Sequence, residues 1–226
     1  MQTEIRRKRG RPPRLSHAEI LEAAAEISIE NLSMMALARR LRTTDAALYY
    51  YFPSREALLR ALADKLTEEI EMPPLSPDWR HWMRDYAWRI KTALERHPGA
   101  AAFLNTGGPT GRKQLHMVET ALGVMMRNGL SLHAARLVDS VVVNHVLAFV
   151  QRTDREAREK RLGKPDSAMR IMEEVREAGE TALPLLQAGL TYDKPIDPDE
   201  LFEFGLTALI SGVAAAPPTL SRAPGI

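Results

Sequence analysis

Cysteine is absent from this 226-residue sequence. Its absence excludes disulfide bonds, zinc–thiolate sites and cysteine nucleophiles, and it fits a protein of the cytosol. The six histidines show no His-Glu-x-x-His spacing, and neither a nucleophile elbow nor a phosphate-binding loop occurs. The sequence therefore predicts that the chain is not an enzyme and that it holds no metal and no cofactor.

Long apolar runs are also lacking. The longest lies around Val138–Val150, and four polar residues interrupt it, namely Asp139, Ser140, Asn144 and His145. Such a run is too short and too polar to span a membrane. No apolar stretch follows the basic start, so we expect no signal peptide. These absences predict a soluble, cytoplasmic protein with no membrane partner.

Charge is small overall but unevenly distributed, since the formal net charge is only +2. Residues 1–62 carry eleven Lys/Arg against seven Asp/Glu, and six of these basic residues fall within positions 1–14. A basic front end on a near-neutral body indicates a polyanionic partner. The length and the 45% apolar composition suit one small domain followed by a larger one.

Helical signals account for almost every segment. Proline and glycine separate stretches with apolar residues at helical spacing, and no alternating strand pattern stands out. Four predicted helix starts in the first third carry capping residues, the first of them a capping box with Glu19: Ser16, Ser33, Thr44 and Ser54. Pro73-Pro74 ends the fourth helix. We therefore predict an all-α fold with a domain boundary at residues 72–75.

The second half of the chain predicts longer helices. The first presents one apolar face, made of Trp79, Trp82, Met83, Tyr86, Ile90 and Leu94. The next spans about 109–127, with a predicted inward face of Leu115, Val118, Leu122 and Met125. A third runs from Ser131 through Arg152, and residues 152–166 are predicted to be an exposed linker or a frayed helix end. Residues 167–178 predict an exposed acidic helix, and residues 198–214 predict the last one.

Residues 41–58 (LRTTDAALYYYFPSREAL) carry the most specific motif in the chain. They resemble the helix-turn-helix signature of the tetracycline-repressor (TetR) family, and the resemblance extends over residues 15–72. The sequence departs from the family signature at Arg42, where glycine is usual in the turn, and at Tyr51, where histidine is common. The glycine position requires Arg42 to accept or avoid a left-handed backbone.

The resemblance implies a DNA-binding domain at 15–72 and double-stranded operator DNA as partner. The third helix would enter the major groove with Asp45, Ala46 and Ala47 leading, while Thr44, Tyr49 and Arg55 grip phosphates. The full set of expected contacts from this domain is Ser33, Thr43, Thr44, Asp45, Ala46, Ala47, Tyr49, Tyr50 and Arg55. The alternative interpretation is that Tyr49–Tyr51 form an aromatic cluster in the core.

The basic arm at residues 1–14 contains a Gly-Arg-Pro core similar to an AT-hook. Arginines in such an extended segment insert into a narrow A·T-rich minor groove. The expected contacts from this arm are Arg9, Arg11 and Arg14. The alternative is a solvated basic tail that adds only nonspecific affinity.

The C-terminal half resembles the regulatory domain of the tetracycline repressors in four segments: residues 79–94, 118–122, 127–132 and 202–206. The resemblance implies a ligand-binding and dimerisation domain at 75–215, a small-molecule effector and a homodimer, followed by a disordered tail at 216–226. The drug-contacting positions do not carry over. Phe103 stands in place of the magnesium-binding histidine, and the remaining replacements are Ala121 for glutamine, Tyr86 for asparagine, Ile90 for phenylalanine and Glu71 for histidine.

Only Thr106 matches the family's drug contacts, so we expect an apolar effector and not a magnesium–tetracycline complex. The candidate lining residues are Trp82, Tyr86, Ile90, Phe103, Thr106, Met117, Ala121, Met125, Asn144, His145 and Phe149. The alternative is that they fill the core. For Asn144 and His145 an interhelical hydrogen bond is the favoured interpretation, because polar groups in an apolar helix need partners.

Helices 131–152 and 198–214 are apolar on more than one face, which predicts a four-helix dimer interface. A dimer spaces two recognition helices about 34–36 Å apart, or a multiple of that, on a pseudo-palindromic operator. The predicted function is a repressor that a ligand releases from DNA by a population shift. A DNA-binding activator or an architectural protein is the alternative.

Overall fold

A computed structural model of the chain describes residues 15–27, 31–105, 111–165, 167–178, 183–190 and 196–215. These residues form eleven α-helices and no strand, which confirms the all-α prediction. The helices are α1 (His17–Ala25), α2 (Met34–Arg40), α3 (Asp45–Tyr51), α4 (Arg55–Glu68), α5 (Trp79–Glu95), α6 (Ala100–Asn105), α7 (Arg112–Arg127), α8 (Leu132–Arg161), α9 (Ser167–Ala178), α10 (Pro184–Leu190) and α11 (Pro198–Ala214).

The first four helices begin where the sequence places their caps. The side-chain oxygens of Ser33, Thr44 and Ser54 each accept a hydrogen bond from the backbone N–H three residues on, at 3.0–3.2 Å. Ser16 and Glu19 form a complete capping box. Each cap satisfies an orphan N–H of the first helical turn, so these starts are encoded locally.

The turn between α2 and α3 closes with a Schellman motif. Thr43 N–H donates to the Ala38 carbonyl at 2.9 Å, and Arg42 N–H donates to the Arg39 carbonyl at 3.2 Å. The motif needs a left-handed residue after the helix, and Arg42 supplies it with a φ of 52°. Arg42 therefore accepts the conformation that glycine adopts more easily.

Helices α1–α4 share one apolar core. Ile20, Leu37, Leu48, Leu58 and Leu62 are fully buried and come from all four helices. Leu48 is the one fully buried residue of α3, so it anchors that short helix while the rest of its surface faces outward. Helix α4 turns one apolar stripe into this core, because Leu58, Leu62 and Leu66, and Ile70 just after the helix, are all buried.

The second half of the chain is built around α8. Helices α5, α6, α7 and α11 all pack against it. The six residues predicted to form the inner face of α5 are all buried. Among the described helices α8 is long and apolar enough to cross a bilayer, but half of that stretch is buried inside the protein, as in a core helix.

Polar contacts tie α11 to α5. The buried Lys91 Nζ lies 2.8 Å from both Glu95 Oε1 and Asp199 Oδ1. Burial acts to lower the pKa of Lys91, but its bonds to these carboxylates raise it. Glu203 accepts hydrogen bonds from Arg84 Nε and Trp88 Nε1, both at 2.6 Å.

Two predictions about the second half are wrong in part. Met117, Ala121, Val124 and Met125 are the buried residues of α7, whereas Leu115 is exposed and Val118 and Leu122 are half-buried. A small residue allows close helix packing, so the buried face is centred on Ala121 and not on the largest side chains.

Helix α8 also continues past Arg152 to Arg161, where a linker or a frayed end was expected. Good helix formers extend it, and Asp154 Oδ2 holds it against the start of α6 by accepting from Gly99 N–H at 2.9 Å. The sequence pattern also did not indicate the short helices α6 and α10.

Candidate functional site

Helix α3 presents most of its surface to solvent. Tyr50 is 80% exposed and Tyr49 is 47% exposed, and Asp45 and Ala46 are exposed in the first turn. Ala47 is half-buried. The helix is short and held by Leu48 from below, so it offers a rigid outward ridge of small, acidic and aromatic side chains.

The three tyrosines of α3 divide into two roles. Tyr51 is half-buried, its ring packs edge-on against His17 at 5.2 Å, and His17 Nε2 lies 3.2 Å from its carbonyl oxygen. That pair joins the end of α3 to the start of α1. The aromatic-cluster interpretation therefore holds for Tyr51, whereas Tyr49 and Tyr50 are exposed.

Two hydroxyls expected to contact DNA also act as helix caps. Ser33 accepts from Ala36 N–H at 3.1 Å, and Thr44 accepts from Ala47 N–H at 3.2 Å. A hydroxyl that accepts one bond still carries a proton to donate. Both side chains are therefore positioned at helix N-termini with a donor to offer, and Thr43 lies half-buried beside Thr44.

Arg55 reaches from the start of α4 to the start of α2. Its Nε and Nη2 donate to the Leu32 carbonyl, each at 3.4 Å. The guanidinium carries five N–H donors, so this contact orients the group without using all of them. It brings Arg55 next to the Ser33 cap, and sequence reasoning did not foresee this link.

Some expected contacts lie outside the described residues. These are Arg9, Arg11 and Arg14 of the basic arm and Thr106 of the effector set.

The other apolar residues expected around the effector meet in the core of the second half. Trp82 and Tyr86 stack with ring centroids 5.1 Å apart, and Trp82 Nε1 donates to the Pro73 carbonyl at 3.2 Å. The rest of the buried set is Ile90, Phe103, Met117, Ala121, Met125 and Phe149. The structure therefore brings these residues together on α5, α6, α7 and α8.

The two polar residues expected in that set, Asn144 and His145, differ in where the structure places them. Asn144, expected to line the effector site or to bond to another helix, is exposed on α8 and therefore lies apart from the buried set. The helix turns it to the side away from the buried valines, Val142 and Val146. His145 Nε2 lies 3.1 Å from the Phe202 carbonyl, and the rings stack at 5.1 Å, which is the interhelical contact expected for it.

Asp139 is the residue that sequence reasoning missed. Its side chain lies on the inner face of α8, it is only 8% exposed, and Oδ1 has no hydrogen-bond partner among the described residues. Burial raises the pKa of this carboxyl to about 6. Burial, and after it the nearby charge of Asp139, raises the pKa of the Tyr86 hydroxyl.

A signal for Asp139 existed in the sequence. It interrupts an apolar run at a helical position whose neighbours one turn away, Ala135 and Val142, are buried. A carboxylate at such a position faces the core and needs a partner.

The start of α7 is joined to α4. Gly111 precedes α7 and provides no side-chain cap, but Asp64 Oδ1 of α4 accepts from Lys113 N–H at 2.9 Å. A Cβ on Gly111 would overlap the Asp64 carboxylate and lie 3.1 Å from Asp64 N. A carboxylate of the first four helices thus caps a helix of the second half, and only glycine permits the approach.

Two family sequence models match the chain and cover most of it. The model described as "Bacterial regulatory proteins, tetR family" matches residues 19–62. The model described as "Tetracyclin repressor-like, C-terminal domain" matches residues 72–216.

Curated relatives match nearly end to end. The tetracycline repressor protein class D of Escherichia coli is 28% identical over 88% of this chain and 89% of its own length. An HTH-type transcriptional repressor of Mycobacterium tuberculosis is 27% identical over 90% of this chain and 80% of its own length.

Solved structures share the fold. Apo ActR from Streptomyces coelicolor has a TM-score of 0.73 at 23% identity, covering 89% of this chain and 96% of that one. A TetR variant from Acinetobacter baumannii in complex with minocycline has a TM-score of 0.66 at 24% identity, covering 93% and 98%.

Replacing Asp139 should change how stability depends on pH. The folded pKa of about 6 lies above the ordinary value of 3.8, so the folded state holds a proton that the unfolded state loses between those values. The contribution of Asp139 to the free energy of unfolding is therefore fully present below about pH 4. It falls by about 3 kcal/mol as the pH rises through 6.

The test is urea unfolding of Asp139→Asn and of the unsubstituted protein from pH 4 to pH 8. The free energy of unfolding of the variant should rise relative to that of the parent between about pH 4 and 6.5, and the difference should stay constant at higher pH. A difference that does not vary with pH would contradict the assignment.

Proposed function

Because the chain belongs to the TetR family of bacterial regulatory proteins, we propose that it is a cytoplasmic, dimeric transcriptional repressor that leaves a pseudo-palindromic operator when a small molecule binds in its C-terminal domain. The observation that carries this proposal is the ridge of α3. Leu48 is fully buried beneath it while Tyr49 and Tyr50 face solvent. A rigid short helix with an outward polar ridge, next to a Schellman turn, fits a major groove.

Contacts around this ridge suit the phosphate backbone. Ser33 and Thr44 lie at helix N-termini, where backbone N–H groups and hydroxyls favour anions. Arg55 is held beside Ser33 by its bonds to Leu32. The leading residues of α3, Asp45 and Ala46, are left to read base edges, with a carboxylate that can accept from a cytosine amine and a methyl that can touch thymine.

The effector is an aromatic or lipophilic small molecule in this proposal. The stacked pair of Trp82 and Tyr86, together with Met117 and Met125, offers flat and adaptable apolar contacts. Related folds supply precedent, since ActR has been solved in complex with actinorhodin. Phe103 stands where the resemblance places a metal-binding histidine, and a phenyl ring cannot ligate magnesium, so magnesium–tetracycline is not proposed.

The link from effector to DNA runs through the Asp64 cap. Helix α7 carries Met117, Ala121 and Met125 toward the core, and its first turn is capped from α4. Helix α4 in turn packs on α1 and begins at Arg55. A ligand that shifts α7 therefore shifts the domain that holds α3, and the ligand disfavours operator binding by its differential affinity for the two arrangements.

Dimerisation is proposed through α8 and α11. On α8 the exposed apolar residues Leu137, Val141 and Ala148 share a stripe with Asn144, and on α11 Phe204 is 74% exposed in line with Ala208. An exposed Phe flanked by small residues is expensive in water and suits a helix–helix contact. A second copy of this chain is the occupant that a self-complementary four-helix interface requires.

The DNA-binding part of the proposal is tested with Tyr49→Phe. The purified protein should bind its own upstream promoter fragment in low-salt gels without effector. Removing the hydroxyl removes one charge-assisted bond to a phosphate, so affinity should fall roughly tenfold on operator and scrambled DNA alike. Tyr51→Phe, on the packed side of α3, is the control and should bind like the parent. A changed base preference in Tyr49→Phe would contradict the phosphate role.

The coupling is tested with Gly111→Ala. The added methyl displaces the Asp64 carboxylate and removes the cap on α7, which is worth about 1 kcal/mol. Operator affinity should fall roughly fivefold, measured by fluorescence anisotropy, while the salt slope stays unchanged because the phosphate contacts are intact. Gly123→Ala on the same helix meets only the Arg127 guanidinium, at 3.3 Å, and should keep full affinity. Equal losses in both variants would argue against the cap.

The dimer is tested with Phe204→Arg. A guanidinium at the centre of the proposed interface would be buried without a partner, so the variant should sediment as a monomer at micromolar concentration and lose operator binding. Leu185→Arg, at an 87% exposed position on α10, should remain a dimer. A dimeric Phe204→Arg protein would require another interface.

A further inference from the structure

Two of the charged side chains in the described residues are buried, and they differ in how they are satisfied. Lys91 has two carboxylates within 2.8 Å. Asp139 has no ion pair among the described residues, and its Oδ1 accepts no hydrogen bond there. A buried carboxylate oxygen that gives up water without a replacement is costly to the fold. A partner that arrives from outside the chain would offset this cost.

The surroundings of Asp139 are apolar on its own helix. The stripe that contains it is completed by Ala135, Val138, Val142 and Val146, all buried. Across from it, α5 packs on α8 and contributes Tyr86, whose hydroxyl is close enough for its pKa to respond to the Asp139 charge. Tyr86 in turn stacks on Trp82, so this part of α5 offers two buried aromatic rings.

An unpaired carboxylate in an apolar core favours a cationic ligand. A carboxyl whose pKa is about 6 is mostly ionised at pH 7.5, so the site carries a negative charge when the protein works at neutral pH. Lys91 cannot neutralise it from the same core, because its ammonium is already bonded to Glu95 and Asp199. A cation that lies over the face of Trp82 or Tyr86 would gain further attraction from the quadrupole of the ring.

We propose that the Asp139 carboxylate binds a protonated amine of the effector, so that the molecule recognised in this core is an aromatic or lipophilic cation. This inference rests on the proposed function, since it concerns the same effector site, and it adds one charge to an otherwise apolar ligand. The ammonium donates to Oδ1, and the hydrophobic part of the molecule packs on Trp82 and Tyr86.

The experiment compares two probes of equal shape, naphthylmethylamine and naphthylmethanol, by calorimetric titration of the full-length protein at pH 7.5. The amine should bind at least roughly tenfold more tightly than the alcohol, as expected for a charge-assisted hydrogen bond in a buried site. Asp139→Asn should lose that preference, and Glu156→Gln, which removes an exposed carboxylate from the same helix, should keep it.

A second variant separates the charge from any effect on folding. Asp139→Leu places an apolar side chain with the same branching at the position, so the protein should unfold at a higher temperature and bind the alcohol no worse than the amine. Equal binding of the two probes to the parent protein, no binding of the amine, or an amine preference that survives Asp139→Asn would each overturn the proposal.

Operator release, measured in parallel, distinguishes this inference from the function on which it rests. If both probes release the operator equally well, the cation preference fails and the repressor function stands. If the amine binds through Asp139 but the purified protein does not bind its promoter fragment, the proposed amine site is supported and the proposed repressor function is wrong.

Discussion

The Asp64 carboxylate that caps α7 ties the start of that helix directly to the first four helices. The contact is a single charge-assisted hydrogen bond, at 2.9 Å, between the helix that begins at Arg55 and the helix that carries Met117 and Ala121. The absence of a side chain at Gly111 makes it possible. Because an uncapped helix start exposes polar N–H groups, any movement of α7 has an energetic cost unless α4 follows. A bond of modest strength suits the proposed coupling, since a ligand of ordinary affinity would be able to shift it.

Local signals in the sequence were sufficient for the first four helices. Ser16, Ser33, Thr44 and Ser54 all cap the helices that they were expected to cap, because a cap involves residues only three positions apart. The turn at Arg42 is also determined by local hydrogen bonds, although its residue type did not predict it. Its side chain is unusual for the position, yet the hydrogen bonds of the Schellman motif impose the left-handed backbone regardless.

Features that depend on distant residues could not be read in the same way. The inner face of α7 is centred on the fully buried Ala121, whereas the pattern of large side chains selected Leu115, which is exposed. The bonds from Arg55 to Leu32 and from Asp64 to Lys113 join residues 23 and 49 positions apart, and neither follows from spacing. Asp139 was visible as a polar interruption, but only packing shows that its Oδ1 has no partner in the described part of the chain.

Arg42 has a consequence for how quickly the protein reaches its target. It lies exposed in the turn that leads into α3, and its left-handed backbone costs roughly 1 kcal/mol that glycine would avoid. In return, a fixed positive charge stands beside the recognition ridge. Such a charge raises the rate of diffusional encounter with a polyanion, most strongly at low ionic strength, without selecting any base. If α3 binds DNA as proposed, the turn exchanges a little folding stability for faster association with the duplex.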